Sequence, residues 1–363
     1  MTDKYIKYMD STGNEIATFI EWVSLDYGRA KNDVGVLDLL IPARLVPGLP
    51  IIDGRMEVYR QVGAGGYYLD GDTQWLIRKF DFSGDENDPL LTIQAYDLIH
   101  MLSRREIEYE AAITYTDKTN QLDDMMKEIV DENAGAAALV AARDMSPYLQ
   151  IQPDFTLAPS ATKAFSWRKM LLLLQELAQI SLENGTWLSF DVVKISDAVA
   201  EFQTFVNQRG TDLTDSVVVS QSNGSLTNAK LIFDYSNEIT EVTAAGRGEG
   251  IDRVTYSAVD AVRVARSPIN RIESYMNAAQ TSISLSLQGD AEEALKQGRP
   301  KIILEGQLID TKNLQFGVHY NYGDIVTAEH FGYSIPCHID AYNIKDGGGL
   351  EVPTIILRGE IYA

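Results

Sequence analysis

The amino-acid sequence predicts a mainly β protein with inserted helices, in the α+β class. Strand-like alternation of apolar and polar residues, interrupted by turn residues, runs from the start of the chain to about Tyr96. The same pattern returns from Lys301 onward. Between these parts, residues 122–130 and 166–185 have apolar side chains at helical spacing. A chain of 363 residues is long enough for two to four domains with cores of their own.

The first part of the chain is predicted to form hairpins of antiparallel strands. Pro42 ends one strand because it has no N–H for a ladder, and Asp53-Gly54 predicts a tight turn with positive φ. Asp97 is predicted to cap a short helix that runs through Ser103. The predicted strands are residues 5–10, 16–23, 34–41, 49–52, 56–60, 67–82 and 90–96.

Two helices are predicted in the middle of the chain. The first ends at Gly135, and the second is capped by Ser166 and ends at Asn184-Gly185. An irregular connection that contains prolines is predicted between them. The apolar faces are Leu122, Met125, Met126, Ile129 and Val130 in the first helix, and Trp167, Met170, Leu171, Leu174 and Leu177 in the second.

The last part of the chain combines strands with one more predicted helix. Two strand-like runs between residues 226 and 244 are predicted to face each other around Ser236-Asn237. A helix that opens at residues 267–268 is predicted to carry on one face Ile269, Ile272, Met276 and Ala279. The remaining predicted strands are residues 301–310, 325–328, 335–344 and 352–361, with the last hairpin loop at 346–349.

Charge and hydropathy exclude several classes of protein. The chain has 31 Lys and Arg against 52 Asp and Glu, a net charge of −21, which argues against binding to DNA or to anionic membranes. The alternative is that this acidity only keeps the protein soluble. No apolar run approaches the roughly 18 residues that cross a bilayer, and residues 1–10 have no signal-peptide core. We therefore expect synthesis in the cytoplasm and no membrane-spanning segment.

The cysteine and histidine residues do not predict a metal site. Cys337 is the only cysteine, which excludes an intrachain disulfide and a thiolate metal cluster. His319, His330, Cys337 and His338 match no zinc spacing, and strand alternation places Cys337 and His338 on opposite faces. We expect a buried thiol beside a solvated imidazole and no bound metal.

The glycine-rich segment of residues 246–250 superficially resembles a phosphate-binding loop. A nucleotide-binding fold needs a long helix directly after the glycines, and none is predicted there. We therefore interpret Gly246, Gly248 and Gly250 as structural, at a strand-to-loop transition that needs positive φ or close backbone approach. No cofactor is expected.

Acidic residues give little support to an enzyme. Residues 70–73 are predicted as a turn, because Gln74 and Trp75 stand where a calcium loop would place a further ligand and its glycine. Three acidic pairs are interpreted as solvated faces, namely Asp123-Asp124, Asp85-Glu86 and Glu292-Glu293. No G-x-S-x-G or HExxH motif is present, so no catalytic residue is assigned. A glycosidase with two carboxylates far apart in sequence stays open.

Several segments, read in order, carry a family resemblance. They are GVLDL (35–39), DGRMEVY (53–59), LTIQAYDL (91–98), LSRR (102–105), VTAAGRGEG (242–250) with Arg253, RIESY (271–275) and YGDIVT (322–327). The opening segments resemble phage tail hub proteins, the chains that close the tail tube. The later ones resemble the glycine-rich segment, the following helix and the final barrel of the Gp37-like siphophage tail proteins, and the whole is similar to the gp27-like baseplate hub family.

The resemblance implies a structural hub with two interleaved barrel-like domains and helical connecting parts. The expected boundaries are 1–112 with 226–262 for the first barrel-like domain, 113–185 for a helical insertion, 186–225 with 301–363 for the second, and 263–300 for a helical connector. Three copies would form a ring of six similar barrels, which fits a sixfold tube and a threefold tip. Some larger relatives carry an added C-terminal hydrolase or fibre domain, and none is expected here because the sequence ends after the last predicted strand.

The partners implied are the other copies of a homotrimer, a distal tail or tail tube protein, a central tip, spike or fibre protein, and as a further candidate the tape measure protein. The implied location is the tail tip of a virion, with DNA passing through the lumen without specific binding. We expect a net negative inner wall, because phosphate contacts would hold the DNA. Basic residues such as Arg104 and Arg105 are then expected at protein contacts.

Two alternatives to the hub remain. A carbohydrate-binding tail or baseplate module would need an exposed shelf among Trp22, Trp75, Trp167 and Trp187, although the sequence places Trp167 and Trp187 in cores. A tail-associated hydrolase would need two facing carboxylates or a polar nucleophile in one deep cleft. The expected function is not enzymatic.

Overall fold

A computed structural model describes residues 4–61, 66–108, 116–165, 167–277, 284–347 and 350–362 of the 363. Strands dominate the regular structure and helices are inserted between them, so the predicted fold class is confirmed. Within these ranges, no helix has both the length and the apolar character needed to cross a bilayer.

The strands are numbered in chain order. They are β1 (Lys4–Met9), β2 (Glu15–Phe19), β3 (Ser24–Ala30), β4 (Val36–Pro42), β5 (Arg55–Gln61), β6 (Tyr67–Leu69), β7 (Trp75–Asp85), β8 (Asp88–Tyr96), β9 (Thr116–Gln121), β10 (Leu149–Ile151), β11 (Ser160–Phe165), β12 (Leu188–Lys194), β13 (Ala200–Val206), β14 (Val218–Ser220), β15 (Leu226–Asp234), β16 (Glu241–Ala245), β17 (Thr255–Val259), β18 (Glu273–Asn277), β19 (Lys301–Leu308), β20 (Ile325–His330), β21 (Tyr333–Gly347) and β22 (Leu350–Tyr362). The α-helices are α1 (His100–Ser103), α2 (Leu122–Ala134), α3 (Met170–Glu183), α4 (Ala261–Val264) and α5 (Ser284–Gln297).

Fourteen of the strands in the described ranges form one large sheet. Its hydrogen-bonded order is β15-β19-β22-β21-β3-β4-β8-β7-β5-β1-β2, with β20 on β21, β14 on β20 and β6 on β5. Strand β21 links the two ends of the chain, because its first residues pair with β20 and its last with β3. The N-terminal and C-terminal strands therefore share one hydrophobic core. Near its centre, the ring of Tyr27 lies edge-on to Trp75 and Tyr342, with centroids 6.1 and 6.3 Å apart.

Helices α1, α2 and α3 form a second core with the small sheet β10-β13-β12. The predicted apolar face of α2 is confirmed, since Leu122, Met125, Met126, Ile129 and Val130 are all buried. The predicted ends of both helices are also confirmed, at Gly135 after α2 and at Asn184 with Gly185 after α3. Gly185 has φ +81°, a conformation that favours glycine at a helix end.

A third, smaller unit follows. Strand β16 lies between antiparallel β17 and parallel β18, and α5 covers one face of this sheet. Val242 and Ala244 of β16 pack with Leu287 and Ala291 of α5 in a core of its own.

The prediction of a helix that opens at residues 267–268 is wrong for the residues up to 277. Residues 273–277 form strand β18, with alternating exposure, and Ala279 lies outside the described residues. The residues Ile269, Ile272 and Met276 fit a helical spacing, but so short an apolar run cannot distinguish the period of a helix from that of a strand. Parallel pairing with β16 decides for a strand, and such a long-range contact is not visible in the local pattern.

Two strand predictions are also wrong. Residues 49–52 form no strand, because Pro50 has no N–H and the carbonyl of Ile51 instead accepts the N–H of Gly54 in a turn. The runs within 226–244 do not pair with each other, since β15 pairs with β19 and β16 with β17 and β18. The predicted boundaries assign β15 to the first barrel-like domain and β19 to the second, although the two strands pair with each other. The boundaries themselves stay a prediction.

Two predicted helix caps have different outcomes. Asp97 does not cap α1, because its Oδ2 accepts a hydrogen bond from Nε of Arg29 at 3.0 Å. Ser166 lies outside the described residues, and α3 begins at Met170 with Lys169 at its N-cap.

Candidate assembly surfaces

The glycine-rich segment is the loop between the antiparallel strands β16 and β17. Gly246 is buried, and its N–H donates to the carbonyl of Val254 at 2.7 Å. Gly248 has φ +112°, and a Cβ there would lie 2.6 Å from the carbonyl oxygen of Asp252. Gly250 also has positive φ, +55°, but open space around it. These geometries agree with a structural role for the glycines, which stays a prediction.

Arg253 fixes this loop from within. Its Nε donates to the carbonyl of Gly246 at 2.9 Å, and its Nη2 donates to the carbonyl of Ala245 at 3.2 Å. The guanidinium also lies over the ring of Tyr275, 5.9 Å from its centroid. These hydrogen bonds join the two ends of the loop, and Ile251 projects from it into solvent with 99% of the side chain exposed.

The large sheet ends in the edge strands β2 and β15. An edge strand presents backbone N–H and C=O groups that can pair with another chain. Strand β15 also exposes Ile232 and Phe233. Such edges suit a protein that assembles with neighbours, because an uncovered apolar edge promotes aggregation.

The four tryptophans do not form one shelf. Trp75 is completely buried, and Trp22 packs against the large core. The prediction that Trp167 lies in a core is wrong, since it precedes α3 and is 64% exposed. Trp187 is partly buried and stacks on His338. A surface for carbohydrate made from all four is therefore contradicted by the position of Trp75.

Cys337 and His338 lie on opposite faces of β21, as predicted, and Cys337 is fully buried. Burial raises the pKa of the Cys337 thiol to about 12. The prediction of a solvated imidazole at His338 is wrong, because the ring lies parallel to that of Trp187 with 4.2 Å between centroids. Burial, and then the charge of Lys31, lower the pKa of His338 to about 3. The imidazole is therefore neutral at ordinary pH.

The acidic pair Asp123-Asp124 is not a solvated face, contrary to prediction. Both side chains are buried at the first turn of α2 and accept backbone N–H groups of the loop before β11. Asp123 accepts from Ala158 at 3.0 Å, and Asp124 accepts from Phe155 at 3.0 Å. The pair therefore fastens a loop to a helix.

A buried ionic junction joins the large sheet to the helical layer. Arg29 on β3 donates to Asp97, to Asp191 on β12 and to the carbonyl of Gly71, and its side chain is completely buried. Arg209 holds the second oxygen of Asp191 through two hydrogen bonds of 2.8 and 3.0 Å. Burial raises the pKa of Asp97 to about 6 in spite of Arg29.

The turn at residues 70–72 lines a cavity of about 310 Å³ beside this junction. Asp70 and Asp324 both face it, but each is already used by the fold. Asp70 accepts the hydroxyl of Tyr27 at 2.6 Å, and Asp324 accepts the N–H groups of Thr211 and Asn321. These carboxylates act as structural acceptors and are not arranged as a free acid and base.

The sequence matches the family described as Siphovirus ReqiPepy6 Gp37-like protein over residues 8–342. The chain belongs to this family. The resemblance to the Gp37-like proteins is thereby confirmed. No curated protein sequence matches the chain.

The fold of this Gp37-like chain is similar to that of solved tail proteins. The prophage MuSo2 43 kDa tail protein from Shewanella oneidensis has a TM-score of 0.55 at 12% identity, covering 98% of this chain and 97% of that one. The tail protein from Neisseria meningitidis MC58 has a TM-score of 0.53 at 12% identity, covering 99% and 96%. The prophage tail protein gp18 from Listeria monocytogenes EGD-e has a TM-score of 0.52 at 14% identity, covering 98% and 94%. At such identities the likeness concerns the fold.

Sequence reasoning missed two features of this Gp37-like chain. The junction of Arg29 was missed because residues 24–30 were not predicted as a strand, although Leu25, Tyr27 and Arg29 alternate on one face. Ile251 was missed because the exposure of a side chain in a loop has no local signal in the sequence.

Proposed function

We propose that this chain is a structural tail hub subunit that forms a homotrimeric ring between tail tube and tip. The observation that carries the proposal is the similarity in fold to tail proteins over nearly the whole chain. Family membership and the open edges of β2 and β15 support it. The family and the fold are those of phage tail proteins, and we propose a role without enzymatic activity.

The proposed ring has two barrel-like domains in each copy, with the boundaries predicted from the sequence. Three copies then present six similar units to a tube and three to a tip, which reconciles sixfold and threefold symmetry. The partners proposed are a distal tail or tail tube protein, a central tip, spike or fibre protein, and the tape measure protein. The proposed location is the tail tip of the virion, after synthesis in the host cytoplasm.

The net charge of −21 fits passage of DNA through such a ring. Phosphate contacts from Lys and Arg would bind DNA firmly, whereas acidic residues on the wall repel it within about 8 Å at physiological salt. We therefore propose an acidic lumen, with Arg104 and Arg105 at protein contacts. In the single chain, Arg104 is half-exposed and its Nη1 lies 3.5 Å from Asp53.

Light scattering together with images of intact particles tests this function. We expect a closed threefold ring, either of the purified chain at micromolar concentration or at the tail tip of particles. Monomers or dimers in both preparations would contradict the hub. A trimer that binds DNA tightly and in a salt-sensitive way would contradict the proposed lumen.

A further inference from the structure

Lys4 occupies a core position at the start of strand β1. It shares a face of the strand with Ile6 and Tyr8, which belong to the large hydrophobic core, and only 5% of its side chain is exposed. A lysine beside a core normally keeps its ammonium group in water. A buried charge is costly without close partners, so the groups around this ammonium decide what it can do.

Two carboxylates meet at the ammonium group of Lys4. Its Nζ lies 2.8 Å from Oδ2 of Asp346 on β21 and also contacts Oε2 of Glu351 on β22. Asp346 and Glu351 are direct partners in the register of these two strands. Like charges that face each other across a sheet are destabilising. The first strand therefore brings one amine into contact with two opposed carboxyl groups of the hairpin β21–β22.

Arg60 completes this cluster. It is the partner of Lys4 in the register of β1 and β5, and its guanidinium contacts the other oxygen of Glu351. Desolvation offsets the attraction within a buried ion pair. A reaction that converts the charges of Lys4 and Asp346 into a neutral amide would remove this cost, and Glu351 would keep Arg60 as its partner.

We propose that Lys4 and Asp346 form an intramolecular isopeptide bond, with Glu351 as the proton relay. Nζ of Lys4 attacks Cγ of Asp346, so that a C–N bond forms and one C–O bond of the carboxyl group breaks. Glu351 accepts a proton from the ammonium and delivers it to the departing oxygen. The ammonium gives up two protons and the carboxylate one oxygen, so one water molecule leaves and both charges disappear together. The reaction needs no further reactant.

The geometry of the fold favours this bond. Contact within the folded chain raises the effective concentration of the amine at the carboxyl group far above that of free reactants. The low exposure of Lys4 limits the access of the water that would hydrolyse the amide. The bond would join residues that lie 342 positions apart, and it does not depend on the proposed trimer.

Intact-mass spectrometry of the purified full chain under denaturing conditions tests the bond. We expect the wild type to be lighter than its sequence by one water molecule. Lys4→Arg keeps the positive charge but offers no amine that can lose its proton, so this variant should have the full mass of its sequence. Lys31→Arg is the matched control, because Lys31 pairs with Asp340 at 3.0 Å but is 26% exposed. The loss of water should remain in this control.

Peptide mapping locates the bond. Trypsin should release a branched peptide in which residues 1–7 are joined to residues 346–358 through Lys4 and Asp346. Glu351→Gln keeps the size of the side chain but cannot relay a proton. Because such a relay contributes about a hundredfold or more in rate, most of this variant should be isolated at its full mass.

The possible results give clear decisions. A wild-type chain with the full mass of its sequence would overturn the bond and leave Lys4 in a buried ion pair only. Ring closure at an Asp-Gly step such as Asp346-Gly347 also releases water, so a loss that persists in Lys4→Arg, or that yields no branched peptide, would overturn the bond as well. Complete bond formation in Glu351→Gln would overturn the relay by Glu351.

Discussion

At the scale of single residues, Gly248 has the strictest backbone requirement in the small unit. Valine at this position would be forced to φ +112°, which β-branched residues avoid, and its Cβ would meet the carbonyl oxygen of Asp252. We predict that Gly248→Val lowers the free energy of unfolding of this unit by at least about 2 kcal/mol. Hydrogen exchange of the β16, β17 and β18 amides measures this, because a small unit can open on its own.

Gly250 provides the matched control in the same loop. Its φ of +55° lies in the left-handed region that asparagine tolerates, and no atom lies within 4 Å of a Cβ there. Gly250→Asn should therefore change the stability by less than about 1 kcal/mol. Equal effects of the two substitutions would show that close approach at Gly248 is not what constrains the loop.

His338 predicts a pH dependence of stability. Its folded pKa of about 3 lies below the ordinary value of 6.5, so the unfolded chain takes up a proton as the pH falls and the folded chain does not. Stability is therefore lost as the pH falls from about 6.5 towards 3. Between pH 7 and pH 5 this group alone should cost about 2 kcal/mol.

Phenylalanine at position 338 keeps an aromatic ring against Trp187 and removes the titration. We predict that the free energy of unfolding of His338→Phe, measured by urea denaturation, falls between pH 7 and pH 5 by about 2 kcal/mol less than that of the wild type. His319→Phe is the control, because His319 is exposed. Parallel pH profiles of wild type and His338→Phe would contradict the burial of the imidazole.

At the scale of elements, the start of α2 is stabilised by a loop that lies about 30 residues further along the chain. Asp124 accepts the N–H groups of Phe155 and Thr156, and it also lies 3.3 Å from the buried ammonium of Lys127. Burial raises the pKa of Asp124, but these hydrogen bonds outweigh it, so the pKa is lowered overall. The carboxylate is thus ionised and carries three contacts.

Removing this carboxylate leaves a buried cation and backbone donors without their acceptor. We predict that Asp124→Ala lowers the free energy of unfolding by about 2–4 kcal/mol, measured by chemical denaturation. Glu128→Ala, on the same helix, removes a partly exposed ion pair to Lys118, which keeps Glu132, and a hydrogen bond from Asn120. It should cost less than about 1 kcal/mol. A similar small cost for both would mean that the loop is not fastened through Asp124.

The elements that sequence predicts well are those whose signal is local. The periodicity of residues 122–130 found α2, and the left-handed stop at Asn184-Gly185 found the end of α3. The errors concern contacts between distant segments. Strand β18 was taken for a helix because only its pairing with β16 decides its form. The same limit hid the candidate site, since neither the exposure of Ile251 nor the partners of Arg29 follow from a spacing.

At the scale of the whole molecule, the two large cores are fixed to each other by charges that are out of contact with water. Arg29 reaches from the large sheet to Asp191 of the small sheet, and Asp97 lies on its other side. A buried ion pair adds little net stability, because desolvation offsets the attraction. Its value lies in geometry, since only one orientation of the two layers satisfies all three groups. The proposed hub would need such rigidity for every copy to present the same surface to its neighbours.

The last prediction follows from removing the cation of this junction. Arg29→Met keeps a similar length but leaves Asp97 without a countercharge, and Asp191 with Arg209 alone. We predict a loss of about 3–5 kcal/mol at pH 7, measured by chemical denaturation. Arg358→Met is the control and should cost less than about 1 kcal/mol. Arg358 is half-exposed, its partner Glu305 on β19 is also exposed, and Glu360 keeps Lys301 as a partner.

The pH dependence of the same variant identifies the cause of the loss. The folded pKa of Asp97 is already raised to about 6, and loss of Arg29 raises it further, so the folded variant binds a proton that the unfolded chain binds only near pH 4. The deficit of Arg29→Met relative to the wild type should therefore shrink as the pH falls from 7 to 5, and a further Asp97→Asn substitution should restore part of the stability at pH 7. A deficit that is the same at both pH values, and unchanged in the double variant, would assign the cost to lost packing of the arginine side chain instead.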